Sequence, residues 1–332
     1  MSFSLPDYWV WDFWFADDGD QYHLFYLRAP KDLGDPDLRH RNATIGHATS
    51  TDLTNWSDHG LVLGPGEPDE FDATATWTGS IVRGDDNLWR MFYTGARFLP
   101  DGGNIETIGV AVSEDLIRWT KRPGPVTRAD PRWYETFGTS SWPEEAWRDP
   151  WVFHEPTDGL WHMLITARAN NGPDDDRGVI GHATSPDLDT WAVQAPLSMP
   201  CAGFGHLEVV QTTEIDRRPT LIFSCPTDTL SGTRQGDGVT GGIWAIPYTG
   251  GVARVEVSKA TLLAHESLYS GRILKDRAGR DVMLAFTNDS ASSEFTGSIT
   301  DPILVSASPD PLLLAPTFPI VMNVDYSPAN PA

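Results

Sequence analysis

The sequence predicts an all-β chain: one five-bladed β-propeller of four-stranded antiparallel blades around a central channel, spanning residues 1–332 as a single domain. Three observations predict it, because three different sequence units each recur with the same count. The first is a short β-rich strand ending in an apolar-aromatic run. It appears as YHLFYLRA from Tyr22, WRMFYTGAR from Trp89, WHMLITARAN from Trp161, PTLIFSC from Pro219 and VMLAFTN from Val282, with starts 67, 72, 58 and 63 residues apart. The second follows it: IGHATSTDLTNW from Ile45, IGVAVSEDLIRW from Ile108, IGHATSPDLDTW from Ile180, then the decayed GGIWAIPY from Gly241 and ILVSASPD from Ile303. The third precedes the first: WVWDFWFADD, TWTGSIVRGDD, RDPWVFHEPTD, GHLEVVQTTEID and LYSGRILKDRAG.

Each unit has a physical reading. Period-2 alternation in the second unit is a strand signal. The Ser-x-Asp-Leu that follows is a turn, since Ser and Asp side chains bond their own backbone. The third unit runs into a polar turn before the next strand, which is a hairpin signal. Together they make one four-stranded sheet per repeat of roughly 65 residues, and radial arrays of such sheets are propellers. A β-sandwich does not explain so long a period. The Pro-rich tail after about Asp310 is expected to close the ring or lie on the surface.

Composition narrows the function. Lys and Arg number 24 and Asp and Glu 46, a formal net charge of −22. That field repels nucleic acid and anionic membranes, so neither is an expected partner. It fits a neutral small-molecule or oligosaccharide ligand and leaves the oligomeric state open. The N-terminal MSFSLPDYWVWDFWF has no basic stretch or small-residue cleavage site, so a cytoplasmic protein is expected. Cys201 and Cys225 have no metal-type spacing and read as two partly buried thiols. No metal or other cofactor is called for. Of the 14 Trp, most are expected to fill the layers between sheets, with a few kept for stacking on sugar rings.

In a propeller the first strand of each blade lines the channel, and here that strand is the third unit. The innermost strands then bring together Asp12, the segment from Trp77 to Ser80, Arg148 with Asp149, Glu208, and Tyr269 with Ser270. Three carboxylates at matching positions on three blades repel each other and should push at least one pKa upward. Split pKa values suit general-acid chemistry at a sugar bond. Period-2 geometry puts Trp14 on the face of Asp12 and Trp11 on the other. Pro150 interrupts its strand, so that Arg148 and Asp149 can both reach one pocket. Apolar neighbours Leu207 and Val209 should keep Glu208 protonated longer. His206, two residues from Glu208, shares its face.

These residues resemble a known family. VWDFW at 10–14, TWTGS at 76–80, RDP at 148–150 and LYSGR at 268–272 are similar to segments of the fructosyl-processing glycosidases of families 32 and 68, the invertases and levansucrases. The resemblance implies a retaining β-fructofuranosidase or fructosyltransferase. Asp12 would be the nucleophile, Asp149 the residue that holds sugar hydroxyls and stabilises the transition state, and Glu208 the acid/base. Ser80 and Arg148 would bind the fructosyl unit, with Trp11, Trp14, Trp77, His206, Tyr269 and Arg272 as further substrate contacts. Two departures stand out: HLEVV surrounds Glu208 where family 68 has E-I-E-R, and there is no room for the C-terminal β-sandwich of family 32. An inverting arabinofuranosidase or arabinanase, a non-catalytic sugar-binding propeller and a purely structural propeller are the alternatives. His47 and His182 recur with the repeat and read as blade packing. The Asp runs at 17–18, 85–86 and 174–176 read as solvated turn charge.

Overall fold

The computed structural model of the chain describes residues 2–236, 238–248, 254–288, 295, 297–307 and 320–323. Blade I holds β1 (Tyr8–Asp17), β2 (Tyr22–Pro30), β3 (Thr44–Ser50) and β4 (Ser57–Leu63). Blade II holds β5 (Ala75–Arg83), β6 (Trp89–Phe98), β7 (Asn104–Ser113) and β8 (Thr120–Lys121), with the two-residue β9 (Glu144–Glu145) paired parallel to β7. Blade III is β10 (Trp147–Glu155), β11 (Leu160–Arg168), β12 (Gly178–Ser185) and β13 (Ala192–Gln194). Blade IV is β14 (Glu208–Ile215), β15 (Arg218–Cys225), β16 (Gly242–Pro247) and β17 (Thr261–His265). Blade V is β18 (Leu268–Lys275), β19 (Asp281–Thr287), β20 (Ile303–Ala307) and β21 (Ile320–Asn323). The five-bladed propeller read from the repeats is therefore the fold.

The third sequence unit is the inner strand of every blade. Each of these strands touches the next around the ring, and β1 meets β18 to close it. The N-terminus makes a backbone latch: Phe3 and Ile299 exchange N–H···O bonds of 2.8 and 2.9 Å. Of the tail after Asp310, residues 320–323 form the outer strand of blade V, and the rest lies outside the described residues. Buried apolar side chains fill the spaces between neighbouring blades, led by Trp14, Phe25 and Tyr26 on one side and Trp147, Phe92 and Ile165 on another.

The Ser-x-Asp-Leu turns form as their side chains dictate. Asp52 Oδ1 accepts the N–H groups of Thr54 and Asn55, and Asp115 and Asp187 do the same in their own turns. Leu53, Leu116 and Leu188 are held at φ of 64°, 62° and 66°, and the following Trp in each turn donates its indole N–H to that Leu carbonyl at 3.1 Å. The recurring histidines are packing residues, as expected. His23 and His162 contact His47 and His182 at 2.9 Å in stacked, buried pairs between the second and third strands. Asp176 departs from its expected place in solvent. It is buried and accepts the N–H groups of Gly203 and Phe204. The two thiols are free: Cys225 is buried, but Cys201 is exposed rather than partly buried.

One irregularity recurs in all five blades. The pairing of inner strand with second strand slips between Trp11 and Phe13, Trp77 and Gly79, Arg148 and Trp151, Glu208 and Gln211, and Tyr269 and Arg272. A bulge adds unpaired residues to one strand and re-aims its side chains. The added residues are Asp12, Thr78, Asp149 with Pro150, Val209 with Val210, and Ser270 with Gly271. Three of them sit in the left-handed region, Asp149 at φ 57°, Val209 at 54° and Ser270 at 49°. For a β-branched Val that conformation is a strained one. Gly79 marks the blade II bulge, where an added Cβ would lie 2.2 Å from the Phe92 carbonyl oxygen.

Bulging frees backbone N–H groups inside the protein, and these need partners. Hydroxyls at one matching position of the second strands supply them. Thr94 of β6 accepts the Asp149 N–H at 2.9 Å and donates to the Thr78 carbonyl at 3.0 Å. Ser224 of β15 accepts the Ser270 N–H at 3.0 Å, and Thr166 of β11 reaches the Leu207 carbonyl at 2.9 Å.

Two outcomes are expected. Thr94→Val leaves the buried Asp149 N–H without an acceptor and should cost about 1–3 kcal/mol in urea unfolding, whereas Thr94→Ser should cost much less; equal stability of all three proteins would contradict the role given to Thr94. Burial first, then the neighbouring imidazole, pushes His182 down to about 4. A group neutral when folded and basic when unfolded stabilises fully above its unfolded pKa of about 6.5, and this contribution is lost as pH falls towards 4. His182→Gln should therefore flatten the fall of unfolding free energy between pH 7 and 4 by about 2–3 kcal/mol. An unchanged pH slope would contradict it.

Candidate active site

The five bulges meet at the mouth of the channel, at the floor of a cavity of about 650 Å³. Asp12, Thr78, Arg148, Asp149, Glu208 and Tyr269 line it from the inner strands. Trp11, Trp77 and Trp142 stand on its walls, so three of the tryptophans face the cavity while the others pack elsewhere. His206, from the loop entering β14, and Arg39, His40 and Arg41, from the β2–β3 connection, also line it.

Each carboxylate has its own environment. Asp12 accepts from the Thr78 hydroxyl at 2.5 Å and the Ser270 hydroxyl at 2.7 Å. Burial raises its pKa and outweighs these two bonds, which favour the ion. Asp149 is pushed up to about 7, by burial first, against the opposing pull of Arg148 and with Asp12 and Glu208 adding to the rise. Its Oδ2 lies 2.9 Å from the Thr166 hydroxyl and 3.3 Å from the Val209 N–H. Thr166 has one proton and two oxygens in range, the Leu207 carbonyl and Asp149; a protonated Asp149 satisfies both. Glu208 accepts from Arg148 Nη2 at 2.6 Å and from the Tyr269 hydroxyl. Burial would raise it, but Arg148, His206 and Tyr269 together bring it below its ordinary value. Since His206 is itself pushed down to about 4 by burial, the charge that holds Glu208 down at neutral pH is that of Arg148.

Most residues expected at the site line the cavity, but several expectations are corrected. Trp14 does not share the face of Asp12. The bulge at Asp12 interrupts the alternation, so Trp11 lines the cavity and Trp14 is buried against Phe25. Ser80 lies away from the cavity. The bulge falls at Thr78, and Ser80 turns to accept the Val152 N–H at 3.1 Å. Arg272 lies below the cavity floor, buried, donating to the carbonyls of Phe13, Val209 and Val210, and acts on Asp12 and Asp149 only through its charge. Glu208 is not the raised carboxyl, because Arg148 comes from the adjacent strand; Asp12 and Asp149 are the raised ones.

Other site residues escaped the sequence reading. Arg39, Trp142 and Glu144 line the cavity, and Glu106 lies just behind Arg148 at 3.0 Å; Thr78, inside the expected Trp77–Ser80 segment, lines it as well. Only Glu106 carried a visible signal, an acid inside the otherwise apolar strand NIETIGVAVS.

Residues 14–300 match the glycosyl hydrolases family 32 N-terminal domain. The chain is 30% identical over 176 residues to a fructan 6-exohydrolase of Beta vulgaris, covering 51% of this chain and 26% of that protein. It is 29% identical over 276 residues to the sucrose-6-phosphate hydrolase of Bacillus subtilis, covering 80% of this chain and 51% of that one. The chain thus spans about half or less of the length of these relatives. Among solved structures, the inulosucrase from Halalkalicoccus jeotgali bound to kestose superposes with a TM-score of 0.74 at 21% identity, over 92% of this chain and 86% of the other. The levansucrase of Bacillus subtilis gives 0.66 at 15% identity, over 93% and 86%. Those two structures share the fold. The match over residues 14–300 settles the family: the chain belongs to the glycosyl hydrolases of family 32, as a member of their N-terminal domain.

Proposed function

We propose that the protein is a retaining glycoside hydrolase or transglycosylase that acts on a β-fructofuranoside through a fructosyl-enzyme intermediate. The observation that carries the proposal is the convergence of Asp12, Asp149 and Glu208, from three blades, on one cavity walled by aromatic rings. Asp12 attacks the anomeric carbon, and its two hydroxyl donors orient the carboxylate and favour its ionised form against the pull of burial. Glu208 gives a proton to the leaving oxygen and later takes one from the incoming water or sugar, as double displacement requires. Asp149, whose proton is retained until about pH 7, holds sugar hydroxyls as donor or acceptor. Family membership and the relatives named for sucrose-6-phosphate and fructan hydrolysis support the substrate class.

The proton balance has a consequence. The productive form needs Asp12 ionised and Glu208 protonated, yet burial raises the first and Arg148 lowers the second. The reactive form is then a minority species, a constant small fraction between the two pKa values, and its population falls once pH rises past the higher of them, that of Asp12. On the alkaline side of the Asp12 titration, kcat/KM is expected to drop about tenfold per pH unit. A profile with no alkaline limb would contradict the need for a protonated Glu208 beside an ionised Asp12.

The reaction is tested by incubating the protein with sucrose, inulin-type and levan-type oligosaccharides and an aryl arabinofuranoside. Fructose should be released from at least one fructoside, and Asp12→Ala should lower that rate by about 10³-fold or more. In methanol the trapped product should be the β-methyl fructofuranoside. Release of arabinose alone, or an inverted methyl glycoside, would favour an inverting furanosidase. Binding without any turnover would favour a sugar-binding propeller.

A further inference from the structure

The connection between blades II and III carries a short segment, residues 142–145, that belongs to none of the repeats. It reaches the cavity wall through Trp142 and Glu144, and β9 anchors it against β7. Glu144 sits between two groups that act on Glu208. Its carboxylate lies 2.9 Å from Arg148 Nη1 and 3.3 Å from His206 Nε2. Trp142 fixes both ends of this contact, packing edge-on against the His206 ring at 4.9 Å and reaching Glu144 Oε1 with its indole N–H at 3.4 Å.

The guanidinium of Arg148 is fully shared. Nη1 serves Glu106 and Glu144, Nη2 serves Glu208 at 2.6 Å and His206 Nδ1 at 3.2 Å, and Nε lies 3.7 Å from Asp149. Because Nδ1 of His206 accepts from Arg148, its ring proton is on Nε2. That nitrogen lies near Glu144 without hydrogen-bond alignment. Glu144 therefore lies behind both groups near Glu208 Oε1 and, of the two, is bonded to Arg148. Facing Glu208 are also Asp12 of β1, Asp149 of β10, Tyr269 of β18 and Cys225 of β15, with His40 across the cavity. Among them Arg148 is the permanent cation, so any group that competes for Arg148 bears on Glu208.

We propose that Glu144 is a positioning residue for the reaction: by holding Arg148 from behind, it limits how strongly Arg148 stabilises the Glu208 anion and so keeps Glu208 able to carry a proton. The inference rests on the fructosidase reading above and assigns Glu144 no contact with the reacting atoms. Removing its charge leaves one carboxylate fewer competing with Glu208 for Arg148. The Glu208 anion is then favoured and its titration moves to lower pH.

The test is the pH profile of kcat/KM for the full chain on whichever fructoside it turns over. Glu144→Gln should shift the acid limb by about 0.5–1 pH unit to lower pH, so that activity falls about 3–10-fold above that limb and recovers towards the wild-type value below it. Glu144→Asp, which keeps the charge, should restore most of the limb. A uniform loss at every pH in Glu144→Gln, or an unmoved limb, would overturn the proposal, since a merely structural residue lowers activity without moving a titration. If Glu144→Gln does not fold, Glu144→Asp decides by itself: a limb near the wild-type position supports the proposal and a limb shifted by a full unit overturns it. Wild-type protein without fructoside turnover would instead overturn the underlying reading.

Discussion

The bulge repeated in the five inner strands is the constraint on which the rest of the site depends. A regular strand sends alternate side chains to opposite faces, so an inner strand can show the channel mouth only every second residue. The slips at Asp12, Thr78, Asp149, Val209 and Ser270 break that rule at one level of the ring. They bring Asp12 and Asp149 to one point, and they let Arg148 and Asp149 face the same cavity although they are neighbours in the chain. The cost is local: three left-handed residues and several unpaired amides. The hydroxyls of Thr94, Thr166 and Ser224 and the carboxyl of Asp149 absorb those amides and carbonyls across blade boundaries. Site and ring are thus one structure, since the bonds that complete each bulge also join neighbouring blades.

Electrostatics follow from this crowding. Glu106, Glu144, Glu208 and Asp149 surround the single guanidinium of Arg148. One positive charge cannot balance four carboxylates in a buried space, so some must hold protons. Burial pushes Glu106 up to about 8 and Asp149 to about 7, while Glu144 is drawn down to about 2, chiefly by Arg148 and His206 acting against burial. Glu208 falls on the ionised side of that division. The protein thereby stores its protons on the carboxyls that the reaction does not use as leaving-group acids, and the free enzyme must redistribute one to begin a cycle.

The blades were legible because the chain repeats itself, and aligning the repeats puts Asp12, Asp149 and Glu208 at matching places. What alternation alone cannot show is a bulge. Counting in twos from Asp12 assigns Trp14 to the site, and the resemblance of TWTGS assigns Ser80; the added residues at Asp12 and Thr78 displace both. The sign of the Glu208 shift was missed for a different reason: its apolar sequence neighbours were visible, but the cation that dominates it lies 60 residues away on the next inner strand. Glu144 and Trp142 sit between repeats and have no counterpart to align. The hydroxyl column is the signal that was available, for Thr94, Thr166 and Ser224 occupy one position of the aligned second strands.

The central claim is that this bulged ring presents its carboxylates to one furanose ring. A crystal structure of Asp12→Asn with a bound fructoside tests it most directly. The account predicts the fructosyl ring on the cavity floor, with Asp149 on its hydroxyls, Glu208 at the glycosidic oxygen, and side chains 12 and 208 about 5–5.5 Å apart. A sugar seated on the rim away from residues 12, 149 and 208, or a separation of about 6.5–9.5 Å with a water between, would contradict it.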